Sequence, residues 1–443
     1  MRAGITAQAL RRHKWALLGP TVTQCVASTV ITMMVTTAAS LGAAPLSPAQ
    51  RAAVEATSVP EAAVAFALIA VYMAILLVGV TMNLAIARQL RDIALLRAIG
   101  ATPGRIRRSV ALQAAVVAVP AAGLGYPFGL GAGHAWVGGL TQHGVLPGVV
   151  AYAPSLAVLP MVIGIGIATS VLGGLAAAVR PARIRPARAL TEAATRRPGI
   201  GAPRALAGAG LVVAGVVLSA VVARQAPERA GENAFFVMLA MCVGVGLLGP
   251  VLLRGVAARV RPFSRGIVRL AVDNVAAASR ALSGALVPLV LVVAFALVKV
   301  ASHTTPAHRT GLREPAGELW TDYSGTAVYC AFAAIAAVAT LVTGLVGRQR
   351  DLAVTRLAGG TRRRVLAVVA WEAVLVTATA LGLAAGIAGA VLVPVLRSAP
   401  YVPFGYLLAG VALTAGVVAA GTLAPAVALT RGRPVHVVAA AVE

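Results

Sequence analysis

Charge is what this 443-residue sequence has least of: 12% of its residues are charged, about half the share of a soluble globular protein. That scarcity excludes a large aqueous domain. Acids are rarer still, 13 against 38 lysines and arginines, and Lys14 and Lys299 are its two lysines. The net charge of +25 would suit a nucleic-acid binder, but aromatics make up 4% of the chain and no basic stripe is interleaved with them. Nucleic acid is therefore excluded as a partner. Cys25, Cys242 and Cys330 all lie in apolar runs without ligand-like spacing, which excludes a disulfide framework or a metal centre. The histidines (13, 134, 143, 303, 308 and 436) are scattered and show no metal-ligand spacing. There is no nucleophile motif and no carboxylate pair. Nor is there a Gly-x-x-x-x-Gly-Lys-Ser/Thr run. The chain is read as carrying no enzyme chemistry, no cofactor and no ATP-hydrolysing motif.

What it does have is apolar length: 59% of residues are hydrophobic, in runs long enough to cross a bilayer. These predict about ten spans, near 15–41, 62–86, 109–136, 153–179, 205–223, 234–253, 282–302, 325–347, 366–394 and 404–429. The first resembles a secretory leader, because Arg11, Arg12, His13 and Lys14 precede it and small residues end it. Its apolar stretch exceeds the 7–15 residues of a leader, so an uncleaved span is expected. Arginine-rich loops alternate with arginine-poor ones along the whole chain. The rich set includes Arg88 to Arg108, Arg180 to Arg204, Arg254 to Arg280 and Arg348 to Arg364. The poor set holds the acids Glu228, Glu232, Glu314, Glu318 and Asp322. By the positive-inside rule both termini are expected in the cytoplasm and the protein in the cell membrane. The longest outer loops, 43–60 and 304–324, are too short for a domain with its own core.

The chain also contains one pattern twice. Arg91-Asp92-Ile93-Ala94-Leu95-Leu96-Arg97-Ala98-Ile99-Gly100-Ala101-Thr102 returns as Arg350-Asp351-Leu352-Ala353-Val354-Thr355-Arg356-Leu357-Ala358-Gly359-Gly360-Thr361. Arg, Asp, Ala, Arg, Gly and Thr stay in register. Each copy predicts a short helix, closed by a left-handed glycine (Gly100, Gly359). A threonine N-cap (Thr102, Thr361) then starts the next span, with Pro103 at the first helical position in the first copy. Ile93, Leu96 and Gly100 fall on one face of the first short helix. Packing on its own bundle or on lipid headgroups, and docking of another protein, are all open to such a face. Six spans separate the copies, so both lie on the same side of the membrane. The expected architecture is all-α and polytopic: two parallel four-helix repeats joined by two linking helices. The expected segments are 1–61 (N-terminal segment, first span and short outer loop), 62–190 (first repeat) and 191–281 (linking spans). They continue with 282–324 (seventh span and outer loop), 325–437 (second repeat) and 438–443 (tail).

The run Arg88-Gln89-Leu90-Arg91-Asp92-Ile93-Ala94-Leu95-Leu96-Arg97-Ala98-Ile99-Gly100-Ala101 resembles the signature of the FtsX/MacB-like permease family, in which an Arg-Glu-Ile-Ala-Leu-Leu-Arg-Ala-Leu-Gly segment follows a span. The second copy resembles it less closely. The resemblance implies an ABC transporter permease whose signature helices lie against a separate, dimeric ATPase. The implied coupling residues are Arg91, Asp92, Ile93, Leu96, Arg97, Gly100 and Thr102, with Arg350, Asp351, Leu352, Arg356, Gly359 and Thr361 in the second copy. Asp92 and Asp351 replace the family's glutamate. The family's glutamate near the start of the following span is matched by Glu372, while Gln113 stands in the first copy. Residues 43–60 stand where many relatives carry a large extracytoplasmic domain.

Glu372 and Lys299 are the ionisable residues read inside spans, and such groups are functional candidates. Both are near a predicted span end, where snorkelling is open to them. Gly125, Gly129 and Gly133, and Gly382 with Gly386, have the small-residue spacing of close helix packing. The leading functional expectation is an exporter or extractor of a hydrophobic or amphipathic substrate. The alternatives are a force transmitter acting on a cell-wall hydrolase or sensor, and a secondary transporter, which the few polar residues seen in the spans disfavour.

Overall fold

The computed structural model describes residues 14–56, 59–98, 100–179, 201–224, 227–312 and 314–432. The N-terminal cations Arg2, Arg11 and Arg12, the Arg180–Arg197 cluster, Ile99 and the tail 438–443 lie outside them. Among the described residues there is no strand, and ten helices are long and apolar enough to cross a membrane. The protein is a multi-pass membrane protein. Its helices are α1 (Lys14–Ala43), α2 (Pro48–Ala56), α3 (Val59–Arg88), α4 (Leu90–Ala98), α5 (Pro103–Gln142), α6 (Leu159–Ala178), α7 (Ala202–Val222) and α8 (Pro227–Val260). Then come α9 (Gly266–Ala277), α10 (Ser279–Thr310), α11 (Ala316–Val346), α12 (Gln349–Leu357), α13 (Arg362–Leu396) and α14 (Phe404–Leu429). The spans are α1, α3, α5, α6, α7, α8, α10, α11, α13 and α14.

The chain divides into two units, one drawn from Met1–Ala194 with Arg313–Ala336, the other from Thr195–Leu312 with Ala337–Glu443. In the first, α1 packs on α3, α5 and α6, and α6 also packs on α3 and α5. Glycines allow the close contacts. A Cβ on Gly125 would lie 2.5 Å from the Cys25 carbonyl oxygen, and one on Gly129 2.5 Å from the Thr32 Cβ. Gly133 is closed by the Tyr152 ring. The first half of α11 adds an aromatic clasp to this unit. The Tyr329 hydroxyl donates to the Phe66 carbonyl (2.6 Å), Trp136 Nε1 donates to Ser324 Oγ (2.9 Å), and Trp320 stacks on His143.

In the second unit α8 packs on α7, α9, α10 and α13, and α13 reaches α7, α9, α10 and α14. Gly382 and Gly386 behave differently from their expectation: they face open space, with nothing within 4 Å of a built Cβ. The spacing that signals close packing on α5 marks an outward stripe on α13. Spacing reports which residues share a face, and the rest of the bundle decides where that face points.

Candidate coupling elements

The two signature segments fold alike, bond for bond. In the first, Gly100 N–H donates to the Arg97 carbonyl at 3.1 Å and Ala101 N–H to the Leu96 carbonyl at 3.0 Å. In the second, Gly359 N–H donates to Arg356 at 3.1 Å and Gly360 N–H to Thr355 at 3.0 Å. Gly100 and Gly359 have φ of 96° and 92°, which a side chain would strain. Thr102 Oγ1 accepts from Arg105 N–H and Thr361 Oγ1 from Arg364 N–H, each at 3.3 Å. These caps satisfy donors left open at the starts of α5 and α13. Asp92 and Asp351 sit in the first turns of α4 and α12 and Arg97 and Arg356 in the last, where the dipole favours them, while Arg91 and Arg350 stand in the first turns against it.

Each short helix buries one face. Ile93 joins a cluster with Ile86, Ile106 and Val110; Leu352 joins one with Leu345, Val365 and Val369. The offset that takes Arg91 to Arg350 takes each member of the first set to one of the second. Both Ile93 and Leu352 are 8% exposed. On the opposite side Leu95 is 51% exposed and Val354, its counterpart, 49%. So packing on the bundle accounts for Ile93 and Leu352 but leaves Leu95 and Val354 uncovered. Leu96 is half-buried, and Arg350 is exposed. Of Arg91 the backbone alone is described.

The polar anchoring of the two segments differs. Arg348, at the N-cap of α12, meets Glu372 on α13 in a two-pronged pair: Nη1 donates to Oε2 at 2.9 Å and Nη2 to Oε1 at 3.1 Å. The side chains are 12% and 6% exposed. Asn274 Nδ2, on α9, donates to the same Oε1 at 3.0 Å. Both carboxylate oxygens are thus bonded, and Glu372 joins α9, α13 and the start of α12. A bidentate guanidinium–carboxylate pair suits a buried site because its fixed fork uses both oxygens. Under the same offset Arg348 corresponds to Gln89 and Glu372 to Gln113. Both glutamines are buried, and the Gln113 Oε1 has no partner. Arg356 also donates from Nη1 to the Gly432 carbonyl (2.8 Å), tying α12 to the turn after α14.

A second polar feature corrects the expectation that the spans hold few polar residues. On α1, Gln24, Ser28, Thr32, Thr36 and Ser40 recur every four residues and are all buried. Gln24 Nε2 donates to the Gly166 carbonyl (3.1 Å), and Ala153 N–H donates to Ser40 Oγ (3.1 Å). Thr36 Oγ1 bonds the Tyr152 hydroxyl at 2.7 Å. Burial holds the Tyr152 pKa above its ordinary value, against the opposing pull of the Thr36 bond. With Gly125 and Gly129 pressed against it, this face packs closely between helices, bonded through Gln24 Nε2, Thr36 and Ser40, while Ser28 Oγ, Thr32 Oγ1 and Gln24 Oε1 have no partner among the described residues. The four-residue recurrence was visible in the sequence, but isolated hydroxyls do not interrupt an apolar run.

Residues 64–186 match the FtsX-like permease C-terminal family. No curated protein matches the chain. The matched stretch contains α4, the caps at Thr102, and the spans α5 and α6. That part of the chain is similar to the FtsX-like permease C-terminal domain.

Proposed function

We propose that this chain is the membrane subunit of an ABC exporter in the cell membrane, and that α4 and α12 dock a dimeric ATPase carried on a separate polypeptide. On this reading the arginine-rich loops and both termini face the cytoplasm, and the chain is built from two parallel copies of one four-span repeat. The observation that carries the proposal is the matched pair of uncovered apolar side chains, Leu95 and Val354. Each stands on a short helix whose other face is fixed in a core. A rigid knob of this form can pass a displacement of its partner to the spans α5 and α13, which start directly after the capped turns. Switching between alternative packings would then carry the motion.

The substrate class follows from what the spans offer. Of the two ionisable candidates inside spans, Glu372 is committed to Arg348 and Asn274, and Lys299 on α10 is not without a partner. An amphipathic or lipophilic substrate, extracted or exported, fits spans that are mainly apolar and whose buried hydroxyls sit in helix packing better than a hydrated ion does. Copurification tests the docking reading: a Walker-motif ATPase should be retained by the wild-type chain and lost when Leu95→Asp and Val354→Asp are combined. Retention of the ATPase by a folded double variant would overturn it.

A further inference from the structure

Helix α9 presents more apolar surface than its own unit covers. Ala271, Val272 and Val275 are buried against the bundle, where α9 packs on α8 and α13. Beside that buried face lie Ile267, one turn before Ala271, and Leu270, at 37% and 45% exposed. Phe263, in the short turn that leads into the helix, is 88% exposed. Three large apolar side chains are thus exposed within eight residues, Ile267 and Leu270 on the helix and Phe263 on the turn before it.

The remaining face is basic. From 254 to 280 the chain carries Arg254, Arg259, Arg261, Arg265, Arg269 and Arg280 against a single acid, Asp273. Arg261 (3.1 Å) and Arg269 (3.4 Å) both pair with Asp273, so that acid is already shared. Arg259 and Arg265 are exposed. The segment joins the spans α8 and α10, which places it at a membrane surface. Further back, α8 exposes Val251.

An apolar edge beside a basic face, on a helix fixed at the end of two spans, is the pattern of an interfacial helix. From the charge complementarity, we infer that α9 and its leading turn bind anionic phospholipid headgroups, with Phe263, Ile267 and Leu270 inserted among the acyl chains and the arginines meeting the phosphates. This rests on the proposed sidedness, which makes the leaflet the cytoplasmic one. Because Asn274 on the same helix bonds Glu372, which in turn holds Arg348, the lipid contact is linked to the start of α12 through these three side chains.

The experiment uses the full-length chain with its three cysteines replaced by alanine and a single nitroxide at Phe263→Cys or, as a control on the arginine side, Ala276→Cys. The protein is placed in nanodiscs of phosphatidylcholine with or without phosphatidylglycerol. Oxygen against nickel-complex accessibility should place the label at 263 below the headgroups and the label at 276 in water. The lipid-inserted fraction at 263 should grow with phosphatidylglycerol. Arg259→Gln and Arg265→Gln should each cut that gain about fivefold, the typical value of one cation near an anionic surface. A water-exposed label at 263 in phosphatidylglycerol discs would overturn the inference. So would insertion indifferent to both phosphatidylglycerol and the arginines, or protection that requires a bound protein partner. Labelling of the water-side Ala276→Cys by an impermeant maleimide on intact cells would instead overturn the sidedness, and with it the cytoplasmic leaflet, separately from lipid contact itself.

Discussion

The segment around α4 and the segment around α12 share their turns, their caps and their apolar packing, yet they are anchored differently. Ile86, Ile93, Ile106 and Val110 in one are Leu345, Leu352, Val365 and Val369 in the other. Where the second has the buried Arg348–Glu372 pair with Asn274, the first has Gln89 and Gln113. Both members changed together: neither segment carries half of an ion pair. A lone buried charge is costly, whereas a complete pair or a neutral pair is tolerated. The apolar contacts and the capped turns are what the two elements share, and the buried ion-pair network is found in the second, with two neutral glutamines at the corresponding positions of the first.

That comparison can be broken most severely at Glu372. Glu372→Ala leaves Arg348 buried without its anion and should cost about 3–5 kcal/mol. Arg348→Gln combined with Glu372→Gln copies the first segment and should recover most of that loss. Thermal unfolding in detergent of the single and paired variants checks both. If the pair is no better than the single variant, the reading that two neutral glutamines are tolerated where the ion pair stands is wrong.

The glycines come next. Gly100→Ala and Gly359→Ala place a Cβ at positive φ and should each cost about 1–2 kcal/mol. Similar losses in the two segments are expected, because the two turns share their bonds. A large difference in melting shift between them would show that one turn is strained by its surroundings. Smaller still, Thr102→Ala and Thr361→Ala each remove one N-cap bond, at about 1 kcal/mol. Slower amide exchange in the first turn of α5 than of α13, after the two substitutions, would count against equal caps.

Much of this was legible in the sequence. The apolar runs located all ten spans, and the glycine and threonine of each signature copy located the turns. Span ends were less legible. The hydropathy of α5 suggests 109–136, but the helix runs from Pro103 to Gln142, because Arg105, Arg107 and Arg108 end an apolar run without ending a helix. The amphipathic α9 is too polar for a span and has no periodic signal beyond its few turns. The Arg348–Glu372–Asn274 network was hidden for another reason: Asn274 and Glu372 are 98 residues apart. No local pattern reports such a contact, although the paired change from Arg and Glu to two glutamines was there to be read. On α13, the Gly382–Gly386 spacing misled, because the direction of a face depends on the neighbours that cover it.

The smallest effect on stability should come from the residues with the largest proposed role. Leu95→Asp and Val354→Asp change side chains that are half exposed, so unfolding should move by no more than about 0.5 kcal/mol. The decisive measurement is the amount of Walker-motif ATPase retained by the wild-type chain, the two single variants and the double variant, each shown to be folded by its melting curve. Partial loss in each single variant and complete loss in the double variant is the predicted result. Full retention by the double variant would contradict the assignment of α4 and α12 as the docking elements.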